Sequence, residues 1–337
     1  MKISKTRLMV ILTSLFVFLN GINCMAEKEK TTASKPKQVG RPVRVVSLSF
    51  NTDKTLEQIA KIVDSEGAKG TDIIAMPETM LTQSDQTLET IKGQTTTTLA
   101  ALAKKHSTYI VFGMDHKDGD RRVNSSVLLD RQGNVAAVYD KIYPYWGEFD
   151  LKPKVIPGAK AVVHQTDFGR LGLAICFDVN FPNVWQSLAD EDAELVIWIS
   201  AYSSGTSLQA HAINHHFYIV SSTYHRDCQV YDITGERILD EKSDDVNISR
   251  VTLDLDRGIY HNNFNTEKRD KLLQEHPDDI FQEKSLPREE WFVLTPKRPG
   301  VSARGLAQEY GMEELRDYLD RSRREIDQIR GCTFPKK

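Results

Sequence analysis

The chain has 337 residues, 40% hydrophobic and 27% charged, a composition that builds a globular core and excludes a disordered chain. Its formal net charge is −3, and no basic stripe or aromatic-interleaved Lys/Arg run is present, so nucleic acid is excluded as a partner. The length admits one large domain or two.

At the N-terminus, Lys2, Lys5 and Arg7 precede an apolar run from Leu8 to Leu19, interrupted only by Thr13 and Ser14. That run is short of the roughly 20 residues a membrane span needs, and Cys24-Met25-Ala26 offers small residues for cleavage before Glu27. Residues 1–26 are therefore predicted to be a signal peptide, with export to a periplasm or medium and no stable membrane span. The polar Asn23 argues against lipidation of Cys24. Removing residues 1–26 takes away three cations and no acids, moving the net charge from −3 to −6. Residues 27–42, opening EKEKTTASKPKQVGR, read as a flexible linker. Cys176, Cys228 and Cys332 then remain, an odd number that flags one reactive thiol in an exported protein. A Cys228–Cys332 disulfide is conceivable, and so is a chain with all three free.

Beyond the linker, Val43 to Phe50 reads as a strand. Leu56, Ile59, Ala60 and Val63 mark one helix face ending near Gly67. Asp72 to Met76 is a short buried strand running into Pro77-Glu78, which completes a βαβ unit. Thr97 to Lys105 is a predicted helix, and Tyr109 to Gly113 a strand. Asn124 to Leu129, a DRQG turn and Val135 to Tyr139 form a predicted hairpin. Leu171 to Ile175 is a strand stopping at Cys176, and Pro182 to Ala189 is the helix after it. Leu195 to Ile199 is a strand, followed by a helix through His211 and a strand at Tyr218 to Ser221. Gln229 to Ile233, a TGE turn and Val251 to Leu255 end the pattern. Strands alternating with helices, with hairpins mixed in, specify an α/β layered fold with mixed sheets. Residues 257–337 are more polar, with a helix-like stretch from Met312 to Ile329. They read as a C-terminal extension packing on the core or a partner subunit.

Three chemically able residues sit where a strand gives way to a loop: Glu78 after IIAMP, Lys141 after VAAVYD and Cys176 after RLGLAI. Strand ends in α/β folds aim reactive groups into one crevice. Taken singly, each has a plain alternative: a helix cap, a solvated lysine, a small buried thiol.

With their flanks, these segments resemble the carbon–nitrogen hydrolase (nitrilase) superfamily. The matching stretches are MPETM, NSSVLLDRQGNVAAVYDKIYPYWGEFDLKPKVIPG and RLGLAICFDVNFPNVWQSLADEDAELVIWISAY, followed by HAINHHFYIVSSTY, an ITGE turn and RVTLDLD. The resemblance covers residues 43–256, the predicted catalytic domain. It implies an αββα sandwich and hydrolysis of a small amide, nitrile or carbamoyl compound through a thioester. It implies Cys176 as nucleophile, Glu78 as base and Lys141 as oxyanion stabiliser, with Glu148 supporting Lys141 and the Phe177 N–H facing the oxyanion. A helix beginning after Cys176 is expected to favour the thiolate. No cofactor is implied, and a homodimer or larger assembly is.

Departures from the family pattern narrow the substrate. Phe177-Asp178 stands where nitrile-cleaving members carry Trp-Glu, which leans towards an amidase. Val179 and Asn180 stand where an Arg holds a substrate carboxylate. Asn183, Tyr143, His211 and Asn214 also replace usual residues. His211 and His215, four apart with His216 and His225 nearby, raise a metal site, but no acid or Cys falls at ligand spacing and no metal is expected. Asn124 opens an N-S-S sequon but lies in a predicted strand, where glycosylation is disfavoured. An inactive exported binding protein would have no use for the Glu–Lys–Cys set, and the family's acyltransferase branch carries membrane spans that this sequence lacks.

Overall fold

A computed structural model describes residues 40–81 and 88–331; the predicted signal peptide, the linker up to residue 39 and Cys332 lie outside the described residues. Fifteen strands and seven helices are described. The first sheet has the order β12-β1-β2-β3-β4-β5, with β1 at Pro42–Ser49, β2 at Ile73–Ala75, β3 at Tyr109–Asp118, β4 at Arg121–Leu129, β5 at Val135–Asp140 and β12 at Asn247–Asp254. The second has the order β11-β10-β9-β8-β7-β6, with β6 at Val162–Gln165, β7 at Arg170–Ile175, β8 at Leu195–Ser200, β9 at Tyr218–Thr223, β10 at Asp227–Tyr231 and β11 at Arg237–Lys242. In each sheet three central strands are parallel, β1-β2-β3 and β7-β8-β9, and the outer ones antiparallel. Both are mixed, as the pattern of helices and hairpins requires.

Alternation along the strands builds the layers. In β8, Leu195, Ile197 and Ile199 face the other sheet, while Val196 and Trp198 face helices. The inter-sheet core joins Val43, Val45, Ile73 and Val111 to Leu171, Leu173, Ile175 and Val220. On the outer face of the first sheet, Ile59 and Val63 of α1 (Leu56–Gly67) and Leu99 and Ala103 of α2 (Gln94–His106) pack on Val46, Leu48 and Ile110. On the other outer face, α3 (Pro182–Asp190) and α4 (Thr206–His215) supply Trp185, Leu188, Leu208 and Ala212. The result is the expected αββα sandwich. Burying such a side chain contributes about 1.5–3 kcal/mol each, and the parallel strands β2 and β7, which lead into Glu78 and Cys176, are wholly or almost wholly buried.

Several elements differ from the sequence reading. β3 continues to Asp118 and pairs with β4 from Arg121 onwards, because the polar MDHKDGDRR stretch is a hairpin extending beyond the short β2. Residues 258–296 form a third antiparallel sheet, β13-β15-β14 (Gly258–His261, Trp291–Pro296 and Ile280–Leu286). With α5 (Thr266–Glu275) and α6 (Ala303–Glu309) it encloses Tyr260, Leu272, Ile280, Phe292, Leu294 and Ala307. β15 carries the apolar run Trp291 to Leu294, but β14 is interspersed with charged and polar residues, and no periodicity marked the segment as a sheet. Leu315, opening α7 (Leu315–Ile329), and Val293 reach the inter-sheet core. Among the described residues no helix is long and apolar enough to cross a membrane.

Candidate active site

Glu78 follows β2 on a tight turn laid against β3. Gly113 N–H donates to Pro77 O, and Met80 N–H donates to Gly113 O, both at 3.1 Å. A Cβ at Gly113 would stand 2.5 Å from Glu78 Cα and 2.6 Å from Thr79 N, so only glycine permits the approach. Lys141 follows β5 and is tied to β4 by its N–H on Asn124 O at 2.9 Å. Gly158 N–H in turn donates to Lys141 O at 2.8 Å. Glu148 lies on the 3-10 turn Trp146–Asp150.

These side chains converge. Lys141 Nζ donates to Glu78 Oε1 at 2.7 Å and to Glu148 Oε1 at 2.5 Å, with the lysine side chain fully buried. Glu78 Oε2 accepts from the Ala201 N–H, just past β8, at 2.9 Å. Cys176 follows β7 directly at φ +47°, a left-handed conformation that is rare for a non-glycine residue and marks a strained, buried turn. Its thiol is close enough to Glu78 and Ser200 for both to act on its ionisation, and its carbonyl accepts from Trp198 Nε1 at 3.1 Å. The Glu78, Lys141, Cys176 and Glu148 expected from the sequence thus meet in one buried cluster.

The electrostatics follow from burial. Desolvation pushes the Cys176 thiol up to about 12, with Glu78 adding to the rise and Lys141 opposing it. Burial alone would depress Lys141, but Glu78, Cys176 and Glu148 outweigh it and hold the ammonium above its ordinary value. Burial also raises Glu148, against the pull of Lys141. At neutral pH the site therefore holds a protonated thiol and an ammonium. The expected helix N-terminus behind the thiol is not there: Cys176–Asn180 is a 3-10 turn, and α3 begins only at Pro182. Phe177 is the second residue of that turn, where N–H groups have no intrahelical acceptor, and its ring packs on Tyr145 and Phe181.

Two residues escaped the sequence reading. Asn124, considered there only as a sequon, is buried in the cluster: its Nδ2 donates to Glu78 Oε1 at 2.7 Å and lies 3.4–3.5 Å from the Glu148 oxygens. The signal was present, since the family-like segment around Lys141 begins at Asn124. Asp178, noted only as a departure, is fully buried and accepts from Tyr139 Oη at 2.7 Å and from the Ile175 and Tyr143 N–H groups at 3.0 Å. It pins the cysteine turn to the lysine loop, and burial raises it to about 6.

The other departures acquire reasons. Tyr143 and Asn183 replace usual residues as a pair, since Asn183 Nδ2 donates to Tyr143 Oη at 2.9 Å. Tyr143 also stacks on Phe181 with centroids 3.6 Å apart. His211 stacks on Trp185 at 4.2 Å and bonds Val179 O at 2.8 Å through Nε2, which makes it a packing residue behind the cysteine turn. Among the described residues no group of three or more His, Cys, Asp or Glu is arranged to hold a metal. Cys228 is a free, buried thiol.

The chain belongs to the carbon–nitrogen hydrolase family, whose model matches residues 41–258, more than half of it. It is 31% identical to a formamidase of Bacillus cereus over 184 residues, covering 50% of this chain and 53% of that one. The match thus spans about half the length of those relatives. A carbon–nitrogen hydrolase from Helicobacter pylori has the same fold at a TM-score of 0.58, with 20% identity over 70% of this chain and 94% of the other. An amidase from Nesterenkonia sp. aligns at a TM-score of 0.54, with 18% identity over 62% of this chain and 90% of the other.

Proposed function

We propose that the chain is an exported hydrolase that cleaves the C–N bond of a small non-peptide amide through a thioester on Cys176. The observation that carries this reading is the Glu78 carboxylate, hydrogen-bonded to the Lys141 ammonium and close enough to the Cys176 thiol to act on its ionisation. A thiol raised to about 12 is not a nucleophile at neutral pH without a base beside it, and Glu78 is that base.

Glu78 takes the thiol proton as Sγ attacks the amide carbonyl carbon. Negative charge then develops on the carbonyl oxygen. Of the three N–H groups of an ammonium, two in Lys141 are directed at Glu78 and Glu148; the third, with the Phe177 N–H, is assigned to the oxyanion. Losing one such donor typically costs about 10²–10³ in rate. Glu78 returns the proton to the departing nitrogen, the C–N bond breaks and a thioester remains. Glu78 then deprotonates a water that attacks the thioester, and the carboxylic acid leaves as the thiol is restored. Glu148 holds Lys141 in place. The formamidase relatives support a small acyl group, and Phe177-Asp178 supports an amide over a nitrile.

A panel of primary amides, assayed on wild type, Cys176→Ala and Glu78→Gln, tests the scheme. Cys176→Ala is expected to show neither burst nor turnover. Glu78→Gln is expected to accumulate an acyl adduct on Cys176, visible by mass spectrometry, because deacylation lacks its base. Turnover by Cys176→Ala, or wild-type rates in Glu78→Gln, would refute the thioester route. Export is tested by N-terminal sequencing of protein recovered from an exporting host: a chain beginning at Glu27 is expected, and a cytoplasmic product beginning at Met1 contradicts it. The homodimer or larger assembly is tested by sedimentation.

A further inference from the structure

Base and nucleophile reach the site from different sheets: Glu78 leaves β2 of the first, and Cys176 leaves β7 of the second. Proton transfer between them needs heavy atoms within about 2.6–3.2 Å, so their registry depends on what ties the Glu78 turn to the second sheet. Two ties are present. The Ala201 N–H grips the carboxylate through Oε2 at 2.9 Å. Tyr224, just past β9, grips the backbone: its Oη donates to Thr79 O at 2.8 Å and also pairs with Thr79 Oγ1. Tyr224 is itself anchored through its N–H on Ser200 O at 3.1 Å, one residue from Ala201.

The backbone at Thr79 needs this grip. Its φ is +34°, outside the conformations a β-branched residue favours, and such a residue stores about 1–3 kcal/mol that the surroundings must hold in place. Released, Thr79 would relax towards negative φ and carry the adjoining Glu78 with it. Burial raises the Tyr224 hydroxyl well above its ordinary value, which keeps its proton in place for the bond to Thr79 O.

We propose that Tyr224 is a positioning residue for this reaction: its hydroxyl latches the strained Thr79 and so keeps the Glu78 carboxylate within reach of the Cys176 thiol. The proposal rests on the reading of Glu78 as base. A displacement of about 1 Å in such a pair costs about 10²-fold in rate, whereas substrate binding is little affected, because the Tyr224 hydroxyl is committed to Thr79.

The test is the rate of Cys176 alkylation by iodoacetamide from about pH 6 to about pH 11, which needs no substrate and reads base-assisted ionisation directly. Tyr224→Phe removes only the hydroxyl. It is expected to slow alkylation about 10- to 100-fold near neutral pH, with the gap closing as hydroxide ionises the thiol without help. Where an amide is turned over, kcat falls similarly and KM stays within about twofold. Thr79→Gly tolerates positive φ without a latch, so Tyr224→Phe should cost less than about threefold in that background. Thermal unfolding of each variant checks that the fold is intact. Alkylation by Tyr224→Phe within about twofold of wild type near neutral pH would overturn the proposal. So would a loss that is equal at every pH and unchanged by Thr79→Gly, which marks general loosening. Failure of the base reading looks different: Glu78→Gln would then alkylate at the wild-type rate, whatever Tyr224 does.

Discussion

Replacing Lys141 by methionine removes one charge from a buried cluster while keeping most of the side-chain volume. The lysine side chain is 0% exposed, and its carboxylate partners, Glu78 and Glu148, are 4% and 16% exposed at 2.7 and 2.5 Å. Without the ammonium, two carboxylates that share Asn124 Nδ2 as a donor face each other with no cation between them. Removing one partner of a buried ion pair costs about 3–5 kcal/mol, because the remaining charge is left uncompensated. The variant can escape by protonating one carboxylate, and burial together with Glu78 already pushes Glu148 up in the wild type. The sign follows from linkage. With Lys141 gone, a carboxyl whose folded-state pKa is raised binds its proton more tightly than in the unfolded chain, so stability is retained at low pH and lost as pH rises through that raised value. Urea unfolding of Lys141→Met should therefore show a loss of about 3–5 kcal/mol near pH 7 that shrinks markedly by about pH 5. Adding Glu148→Gln should recover part of it at neutral pH. A pH-independent loss below about 1 kcal/mol would refute the claim that this ion cluster is desolvated and coupled.

Gly113→Ala would place a Cβ 2.5 Å from Glu78 Cα, so it should displace the Glu78 turn and lower kcat about 10²-fold or more; near wild-type kinetics would show that the turn is not held by this approach. Burial pushes Cys176 and Cys228 each up to about 12 from the ordinary 9.0, so the folded chain binds these protons more tightly than the unfolded one. Stability is then complete below about pH 9 and falls as pH rises towards 12, by at most about 1.4 kcal/mol per pH unit per thiol. Urea midpoints measured from about pH 8 to about pH 11 should drop less steeply in Cys228→Ala than in wild type; parallel slopes would contradict the burial argument.

The chain's local chemistry determined a good part of this protein. Strand-ending positions at Glu78, Lys141 and Cys176 are readable because an apolar run that stops at a polar residue is a local pattern, and so is the βαβ alternation that sets the layers. The short apolar stretches of β2 and β8 were legible for the same reason, since strands buried on both faces are hydrophobic throughout. The third sheet was not, because only β15 carries an apolar run, Trp291 to Leu294, while β14 mixes apolar with charged and polar residues and Tyr260 and Leu272 meet Phe292 only after folding.

Tertiary structure alone decided the state of the site. Nothing in the sequence around Cys176 says that its thiol is raised rather than lowered; that depends on how much water the two sheets exclude and on Glu78 arriving from the other sheet. The contacts of Asn124 with Glu78 and of Asp178 with Tyr139, each at 2.7 Å, join residues 46 and 39 positions apart and exist only in the folded chain. Tyr143 and Asn183, two separate oddities forty residues apart, turned out to be one hydrogen-bonded pair. Hydrogen bonds and desolvation depend on distance in space, and the sequence states distance only along the chain.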